Sequence, residues 1–238
     1  MANEMEVTVL QKGVEIAIQY GLPKILDRAK MFWSGKRFLV LGPPRCGKTN
    51  FLNFLETLVL EPERYTDQTV RVIQREDQTL NFGEYVTLRA RRPLDVPGQN
   101  PTFQIEYIKD FVPNCIVVVL DATRFWGTSA SLEWIEEFCR HLDILLRSNK
   151  KVVRKLKLLV VVLNKWDKIP SASPKDDQDN REIFDNEIRA VLDRSFNNEF
   201  CTKGKMDNVR VVPCALVKSP LGEELAIDLL KIIGTALR

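Results

Sequence analysis

Long hydrophobic runs are missing from this sequence: no apolar stretch approaches the ~18–20 residues that a membrane-spanning helix needs. Nothing near the N-terminus resembles a signal peptide, and the chain has neither a Met-Gly start nor a C-terminal prenylation cysteine. Hydrophobic residues still make up 45% of the 238 residues, which is enough for one large domain with a substantial core. We therefore expect a soluble, cytoplasmic protein without a transmembrane segment.

An excess of one charge sign is also lacking, since 35 Lys and Arg residues are balanced by 32 Asp and Glu residues. This balance argues against a general nucleic-acid binder. The five cysteines are scattered and none forms a C-x-x-C pair, which fits a reducing compartment. A local basic cluster at 147–157 (RSNKKVVRKLK) is interpreted as a solvated connection between a helix and a strand.

What the sequence does contain is an alternation of strand and helix patterns over residues 35–238. Short apolar runs predict strands, and apolar positions three or four residues apart predict helices. The predicted strands are 37–41, 115–121, 157–163 and 209–214, with extended segments near 69–74 and 82–90, and the predicted helices are 48–60, 130–147, 180–195 and 220–237. Such an alternation predicts an α/β fold with a mostly parallel sheet covered by helices on both faces.

Two other segments are interpreted from their composition. The polar, proline-containing stretch 169–182 (IPSASPKDDQDNRE) is predicted to be a surface loop. Residues 1–34 are predicted to form a helical extension, interrupted near 21–23, that packs against the main domain as an extra layer. The alternative is an amphipathic surface for a membrane interface or a partner helix, and the few cationic residues there argue mildly against a membrane.

The strongest motif is the stretch 42–49 (GPPRCGKT), which satisfies G-x-x-x-x-G-K-[ST] between a predicted strand and a predicted helix. In such a loop, backbone N–H groups, here mainly those of 45–49, and the helix N-terminus contact phosphate oxygens. Lys48 would reach the β and γ phosphates, and the Thr49 hydroxyl would ligate Mg²⁺. We call residues 42–49 the phosphate loop. Its candidate nucleotide ligands are Gly42, Arg45, Cys46, Gly47, Lys48 and Thr49.

A second motif indicates which base is bound. The predicted strand at 157–163 is followed by 164–167 (NKWD), an N-K-x-D sequence. The Asp167 carboxylate can accept hydrogen bonds from the ring N–H and the exocyclic amine of guanine, whereas adenine presents its amine where guanine has a carbonyl. The motif therefore predicts guanine rather than adenine.

With these motifs the chain resembles, over residues 37–238, the P-loop GTPases of the Ras-like and translation-factor class. The resemblance implies the three-layer α/β/α fold of P-loop NTPases, with GTP or GDP and Mg²⁺ as ligands. Residues 95–98 (DVPG) match the D-x-x-G motif of that family, and residues 214–216 (CAL) loosely match its S-A-K-like turn. The order and spacing of the motifs agree with the family as well.

The family resemblance also implies a role for each matched residue. In the N-K-x-D motif, Asn164 braces the loops, Lys165 packs along the base and Asp167 reads its edge. The turn formed by Cys214, Ala215 and Leu216 brings the Ala215 N–H to the guanine carbonyl. In the D-x-x-G motif, Gly98 donates its N–H to the γ-phosphate and the following Gln99 orients the attacking water.

Three residues are candidate ligands of the magnesium ion: Thr49, Thr69 and Asp95. Thr69 is preferred to Thr66 as the threonine that closes over Mg²⁺, because an aliphatic residue follows it. Asp95 is preferred because the Gly98-Gln99 pair accompanies it. Its rival is Asp121, which ends an apolar strand of the Walker B type.

The phosphate loop departs from the family by holding Pro43, Pro44 and Arg45. The prolines lie upstream of the important N–H groups, so we expect their missing donors to be tolerated and their fixed φ angles to preorganise the turn. Arg45 stands where guanylate-binding dynamin-like GTPases carry an arginine. That resemblance suggests a finger that acts in cis with Gln99 and Lys48 in catalysis; the alternative is an arginine directed to solvent or paired with a carboxylate.

Together these patterns predict a GTP-binding switch with slow GTP hydrolysis, in which segments near 62–75 and 95–105 respond to the γ-phosphate. One alternative is a GTP-binding interaction module resembling the receptor β subunit of protein targeting, with little productive turnover. Another is an ATP-dependent kinase or ATPase, which the N-K-x-D motif weakens. A protein effector or regulator is the expected partner, and a nucleotide-dependent dimer and peripheral membrane contact remain open.

Overall fold

The structure of the protein is a computed structural model that describes residues 36–57, 59–62, 73–74, 78–82, 86–95, 101–124, 130–171, 174–195 and 208–236. The predicted helical extension of residues 1–34 lies outside these ranges, so the proposed division of the chain into an extension and a main domain stays a prediction. None of the helices within the described ranges is long and apolar enough to cross a membrane.

The described chain alternates between strands and helices as the sequence predicts. Its strands are β1 (Lys36–Leu41), β2 (Ile73–Gln74), β3 (Gln78–Phe82), β4 (Val86–Asp95), β5 (Cys115–Asp121), β6 (Leu158–Asn164) and β7 (Val209–Pro213). Its helices are α1 (Lys48–Thr57), α2 (Pro101–Phe111), α3 (Ala130–Ser148), α4 (Lys150–Lys155), α5 (Pro174–Ser195) and α6 (Pro220–Ala236). Short 3₁₀ turns follow β5 at Ala122–Arg124 and β6 at Trp166–Lys168.

The strands form one sheet in the order β2-β4-β1-β5-β6-β7, with β3 also paired to β4. Five strands run parallel to one another, namely β4, β1, β5, β6 and β7. The other two, β2 and β3, are antiparallel to β4. The predicted α/β fold with a mostly parallel sheet is confirmed. Because parallel strands end at the same edge, the segments that follow β1, β5, β6 and β7 come together there.

Both faces of the sheet are covered, because side chains along each central strand alternate between two hydrophobic clusters. In β5, Ile116, Val118 and Leu120 join a cluster with α2, α3 and α5, while Cys115, Val117 and Val119 join one with α1 and α6. Fully burying a side chain of this size contributes roughly 1.5–3 kcal/mol. The sheet between these two layers is therefore a rigid support for the loops at its edge.

The predicted surface loop at 169–182 is wrong in its second half, because α5 begins at Pro174. Proline suits the first turn of a helix, and Asp176 and Asp177 in that turn interact favourably with the helix dipole. Ion pairs between side chains one turn apart, such as Asp177 with Arg181, stabilise the helix on its solvent-facing side. A polar sequence thus forms a helix here without an apolar stripe in its first half.

Two further segments differ from the sequence-based prediction. The basic cluster at 147–157 includes the short helix α4, which Asn149 caps by accepting hydrogen bonds from the N–H groups of Lys151 and Val152. Strand β4 continues to Asp95, beyond the predicted end near residue 90, although it contains Pro93. Its register with β1 shifts between Arg37 and Leu39, and a bulge of this kind tolerates a proline that has no N–H to donate.

Candidate nucleotide-binding site

The candidate site lies at the edge of the sheet where the parallel strands end. The phosphate loop follows β1, residues 164–168 begin at the last residue of β6, and residues 214–216 follow β7. We call the second segment the base-reading turn and the third the closing turn. The sheet order places β6 next to both β5 and β7, so both turns lie on neighbouring strands.

The backbone of the phosphate loop requires glycine at two positions. Gly42 has a φ of 141° and Gly47 a φ of 103°, both in the region that side chains disfavour. A Cβ at Gly42 would lie 2.1 Å from the Val119 carbonyl oxygen, and one at Gly47 would lie 2.2 Å from Asn164 Nδ2. The loop therefore packs directly against β5 and against the base-reading turn.

The Lys48 ammonium group is held inside the loop. Its Nζ donates hydrogen bonds to the carbonyl oxygens of Gly42 at 3.1 Å and Pro43 at 2.8 Å, and the side chain is buried. Pro43 has no N–H, yet its carbonyl is used here, so the proline orients an acceptor for the lysine. Two carbonyls partly compensate the buried charge, and an ammonium has a third N–H with which to bind an anion.

The thiol of Cys46 lies beside this ammonium and is buried. Its Sγ is 4.0 Å from Lys48 Nζ. Burial raises the pKa of the Cys46 thiol above its ordinary value, although the neighbouring Lys48 opposes that rise. The thiol is therefore neutral at pH 7, and Cys46 contributes its backbone and its packing to the loop rather than a charge.

Asn164 joins all three segments of the site. Its Nδ2 donates to the Cys46 carbonyl at 2.8 Å, and its Oδ1 accepts from the Leu216 N–H at 2.9 Å. The residues so connected are 118 and 52 positions away in the sequence. The bracing contacts that the sequence predicted for Asn164 are thus present, and they fix the phosphate loop relative to the base-reading and closing turns.

Lys165 has a left-handed backbone, with φ 64°, and its ammonium donates to Asp121 Oδ2 at 2.6 Å. Asp121 Oδ1 accepts from the N–H and the hydroxyl of Thr123, and Arg124 Nε lies 3.5 Å from Oδ2. This carboxylate, the rival candidate for the magnesium site, is therefore committed to orienting Lys165 and the turn after β5. The choice of Asp95 as the metal-associated aspartate stays a prediction.

Trp166 anchors the base-reading turn to α5. The indole is buried, its Nε1 donates to Asp177 Oδ1 at 2.7 Å, and its ring meets Phe184 edge-on at 5.2 Å. Asp177 also accepts from Arg181 Nε at 2.6 Å. Asp167, next in the chain, is exposed.

The closing turn continues the backbone pairing of β6 and β7. The Cys214 N–H donates to the Leu163 carbonyl at 2.9 Å, and the Cys214 carbonyl accepts from the Trp166 N–H at 3.1 Å. Ala215 and Leu216 are buried, and burial raises the pKa of the Cys214 thiol to about 12. The closing turn is therefore fixed to β6 and to the base-reading turn by its backbone, and the contact of the Ala215 N–H with a guanine carbonyl stays a prediction.

Other predicted site residues are placed less completely. Thr49 lies in the first turn of α1, and the Arg45 side chain is exposed. Thr69, Gly98 and Gln99 lie outside the described residues, and Asp95 is placed by its backbone alone, opposite Val40 at the end of β4. Within the described ranges no group of three or more His, Cys, Asp or Glu residues could hold a metal ion.

Two residues of the site have no motif in the sequence to mark them. Asp177 holds Trp166, and Gln104 on α2 pairs with the backbone of Gly42. Both lie on helices that come later in the sequence than the loops they contact, by 62 positions for Gln104 and 11 for Asp177. Asp176 and Asp177, acidic residues in the first turn of a helix, are a sequence signal for the start of α5. Nothing in the sequence indicates the contact of Gln104 with Gly42.

No protein-family model and no curated protein sequence matches the chain, but solved structures match its fold. The SRβ-GTP/SRX complex of the signal recognition particle receptor from Chaetomium thermophilum has a TM-score of 0.57 at 16% identity, over 84% of this chain and 97% of that one. A dimerization-deficient mutant of Toc33 from Arabidopsis thaliana has a TM-score of 0.56 at 18% identity, over 90% and 92%.

A third match is the bacterial selenocysteine-specific elongation factor EF-Sec, with a TM-score of 0.50 at 19% identity. It covers 85% of this chain but 28% of that protein, so the likeness concerns one part of a longer molecule. At these identities the matches bear on architecture. The chain has the three-layer α/β/α fold of the P-loop GTPases.

Proposed function

We propose that this protein binds GTP and GDP with Mg²⁺, hydrolyses GTP slowly and acts as a conformational switch. The observation that carries the proposal is the pair of hydrogen bonds from Asn164 to Cys46 and Leu216. They hold a loop suited to phosphates and a turn suited to a purine in one fixed arrangement. A nucleotide spans two such ends, whereas a simple phosphate ligand needs only the first.

The phosphate end is supported by charge and by backbone shape. Lys48 brings a buried ammonium to the loop, and Arg45 and Gly47 have positive φ angles of 61° and 103°. Alternation of left-handed and right-handed residues turns successive N–H groups into a concave anion site. Mg²⁺ would be held by Thr49, Thr69 and Asp95, and it would supply positive charge to neutralise the phosphate oxygens.

The base end is supported by Asp167, which is exposed on a turn that Trp166 and Lys165 fix from both sides. A carboxylate accepts hydrogen bonds and donates none, so it favours the two adjacent N–H donors of guanine. The buried Ala215 lies in the closing turn, where its N–H would contact the guanine carbonyl. This pairing of acceptor and donor disfavours adenine.

For hydrolysis, a water oxygen attacks the γ-phosphorus and the bond to the β–γ bridging oxygen breaks, giving GDP and phosphate. Gln99 would orient that water, and Gly98 would donate its N–H to the γ-phosphate. Lys48 and Arg45 would offset the negative charge that moves toward the leaving diphosphate. Intrinsic GTP hydrolysis at a site of this kind is slow even with an arginine in cis, so a slow rate is expected here.

The first experiment is competition of GDP and ADP for one fluorescent guanine nucleotide in the presence of Mg²⁺. The proposal expects GDP to displace the probe at concentrations at least about a hundredfold lower than ADP, since leaving buried hydrogen-bonding groups unpaired is costly. Equal displacement by ADP, or no binding of the probe, would remove the proposal. Equal displacement by ADP would favour an ATP-dependent kinase or ATPase instead.

A second candidate function is a GTP-binding interaction module in which bound GTP supports a complex without productive turnover. It is favoured by the structural likeness to a receptor subunit in a complex that contains GTP. Single-turnover hydrolysis with and without cell extract separates the two functions. A switch gains rate with a regulator in the extract, whereas the module retains GTP in both conditions.

The partners proposed for either function are a guanine nucleotide and a protein effector or regulator, in the cytoplasm. A nucleotide-dependent dimer is a further possibility, since Arg45 is exposed at the site. Sedimentation of the protein with GDP and with a nonhydrolysable GTP analogue tests for that dimer directly.

A further inference from the structure

Gln104 on α2 is completely buried, and its carboxamide is paired with the first residue of the phosphate loop. The Gly42 N–H donates to Gln104 Oε1 at 3.2 Å, and Gln104 Nε2 donates to the Gly42 carbonyl at 3.1 Å. The two residues are 62 positions apart in the sequence. A buried side-chain amide is costly unless it is hydrogen-bonded, so this reciprocal pair fixes α2 to the base of the loop.

Gly42 has little freedom to move away from this contact. Its φ of 141° excludes most side chains, and a Cβ there would lie 2.1 Å from the Val119 carbonyl oxygen. The glycine backbone is thus packed between β5 on one side and the Gln104 carboxamide on the other. Any displacement of α2 must break the pair or move the base of the loop.

The Gly42 carbonyl has a second donor, since Lys48 Nζ approaches the same oxygen at 3.1 Å. A carbonyl oxygen has two lone pairs, and here both have a donor. The direction of this carbonyl therefore depends on Gln104, and the position of the Lys48 ammonium depends on the carbonyl. One backbone oxygen connects a helix outside the loop to the main cation inside it.

We propose that Gln104 is a positioning residue that orients the Gly42 carbonyl and, through it, directs the Lys48 ammonium toward the nucleotide phosphates. This inference rests on the proposed function. Helix α2 begins at Pro101, two residues after Gln99, so its first turn belongs to the segment near 95–105 that is proposed to respond to the γ-phosphate. The Gln104–Gly42 pair then transmits the position of α2 to Lys48.

The test is a double-mutant cycle on the affinity for a fluorescent, nonhydrolysable GTP analogue. Gln104→Met keeps the size of the side chain but removes its donor and acceptor, and it is expected to weaken binding about tenfold. In a Lys48→Met background the same substitution should change affinity by less than about twofold, because residues that act through one another are not additive. Thermal unfolding without nucleotide monitors the fold in each variant.

The matched control is Gln178→Met on α5, which removes a glutamine that is exposed and donates to Glu182. It should leave affinity unchanged. If Gln104→Met does not fold, Gln104→Leu removes the same donor and acceptor with another apolar side chain and adds no charge. The same weakening is expected from it, and the same loss of effect when Lys48 is replaced.

The outcomes separate this inference from the proposed function. If the parent protein binds no guanine nucleotide, the proposed function fails and this inference with it. If the parent binds but Gln104→Met or Gln104→Leu binds equally well, the inference alone is overturned. Equal weakening by Gln104→Met with and without Lys48 would overturn it as well, because Gln104 would then support the fold without acting through the lysine.

Discussion

Arg45 adopts a left-handed backbone, with φ 61°, although it is neither glycine nor asparagine. That conformation costs an L-residue with a Cβ roughly 1–2 kcal/mol, and glycine avoids this cost. The guanidinium at this position is exposed at the candidate site. A strained arginine where a glycine would fit better suggests that the side chain is retained for what it does there.

We predict that Arg45→Ala and Arg45→Gly both slow GTP hydrolysis, because both remove the guanidinium. A finger in cis contributes ~10³–10⁵ to the rate in related mechanisms, so a loss of at least about a hundredfold is expected in single-turnover assays. Arg45→Gly should retain nucleotide affinity, since it also relieves the backbone strain. Hydrolysis at the parental rate by either variant, at every protein concentration, would contradict a catalytic role.

Asn164 is the residue on which the arrangement of the site depends most. Its replacement by alanine leaves the Cys46 carbonyl and the Leu216 N–H without a partner in a buried region. Each unpaired group costs about 1–3 kcal/mol. We predict that Asn164→Ala lowers the free energy of unfolding by about 2–4 kcal/mol and weakens GDP binding at least about tenfold, measured by denaturant unfolding and fluorescent-nucleotide titration.

Two further variants test the origin of that effect. Asn164→Asp keeps the acceptor for the Leu216 N–H but loses the donor to Cys46, so it should still weaken binding. Asn180→Ala on α5 removes a half-buried asparagine that donates to the Pro170 carbonyl, and it should change neither quantity appreciably. Equal losses in Asn164→Ala and Asn180→Ala would mean that Asn164 does not join the loops.

At the scale of elements, α5 is an example of how a polar helix supports a binding turn. Its second half buries Phe184, Ile188 and Leu192 against the sheet, while its first turn supplies Asp177 to the indole of Trp166. The helix thus connects the hydrophobic layer to the base-reading turn. If the first turn of α5 is loosened, we expect the position of Asp167 to change as well, because Asp167 is next to Trp166 in the chain.

We predict that Asp177→Ala weakens GDP binding about tenfold, because it leaves the buried indole N–H unpaired and loosens the turn. The measurement is a fluorescent-nucleotide titration, with tryptophan emission reporting the changed surroundings of Trp166. Asp185→Ala is a matched control, since Asp185 also pairs with an arginine one turn later, Arg189, on the same helix. If both variants bind GDP alike, the contact with Trp166 does not matter for the base.

For the whole molecule, the central sheet could be predicted from the sequence because its strands contain short apolar runs, which are nearly continuous in β5 and β6. β1, β5, β6 and β7 lie within one residue of their predicted bounds. The first half of α5 could not, because its stability comes from capping charges and pairs such as Gln178 with Glu182 rather than from apolar spacing. Helix α2 was likewise missed, although Ile105 and Ile108 belong to the core.

The same physical distinction applies to the site. Lys48 and Asn164 could be identified from the sequence because the spacing of their motifs follows from local loop geometry. Gln104 and Asp177 could not, because their partners are brought near by the packing of helices on the sheet. A motif specifies the groups that meet the ligand, whereas the groups that orient them depend on the tertiary structure.

The two-sided core leads to a prediction for residues 1–34. Helices α2, α3 and α5 cover one face of the sheet and α1 and α6 cover the other, and β1 begins only at Lys36. A chain that starts at residue 34 keeps all of these elements. We therefore predict that deleting residues 1–33 changes the dissociation constant for GDP by no more than about threefold, a difference of well under 1.4 kcal/mol.

The deletion also distinguishes the interpretations of the N-terminal segment. If the shortened protein binds GDP normally but no longer associates with a partner protein or with lipid vesicles that the full chain binds, the segment is an interaction surface. If it becomes insoluble or loses GDP, the segment contributes to the core. Because hydrophobic burial dominates folding, that second result would appear first as a lower midpoint in denaturant with a smaller slope, since less surface would then be exposed on unfolding.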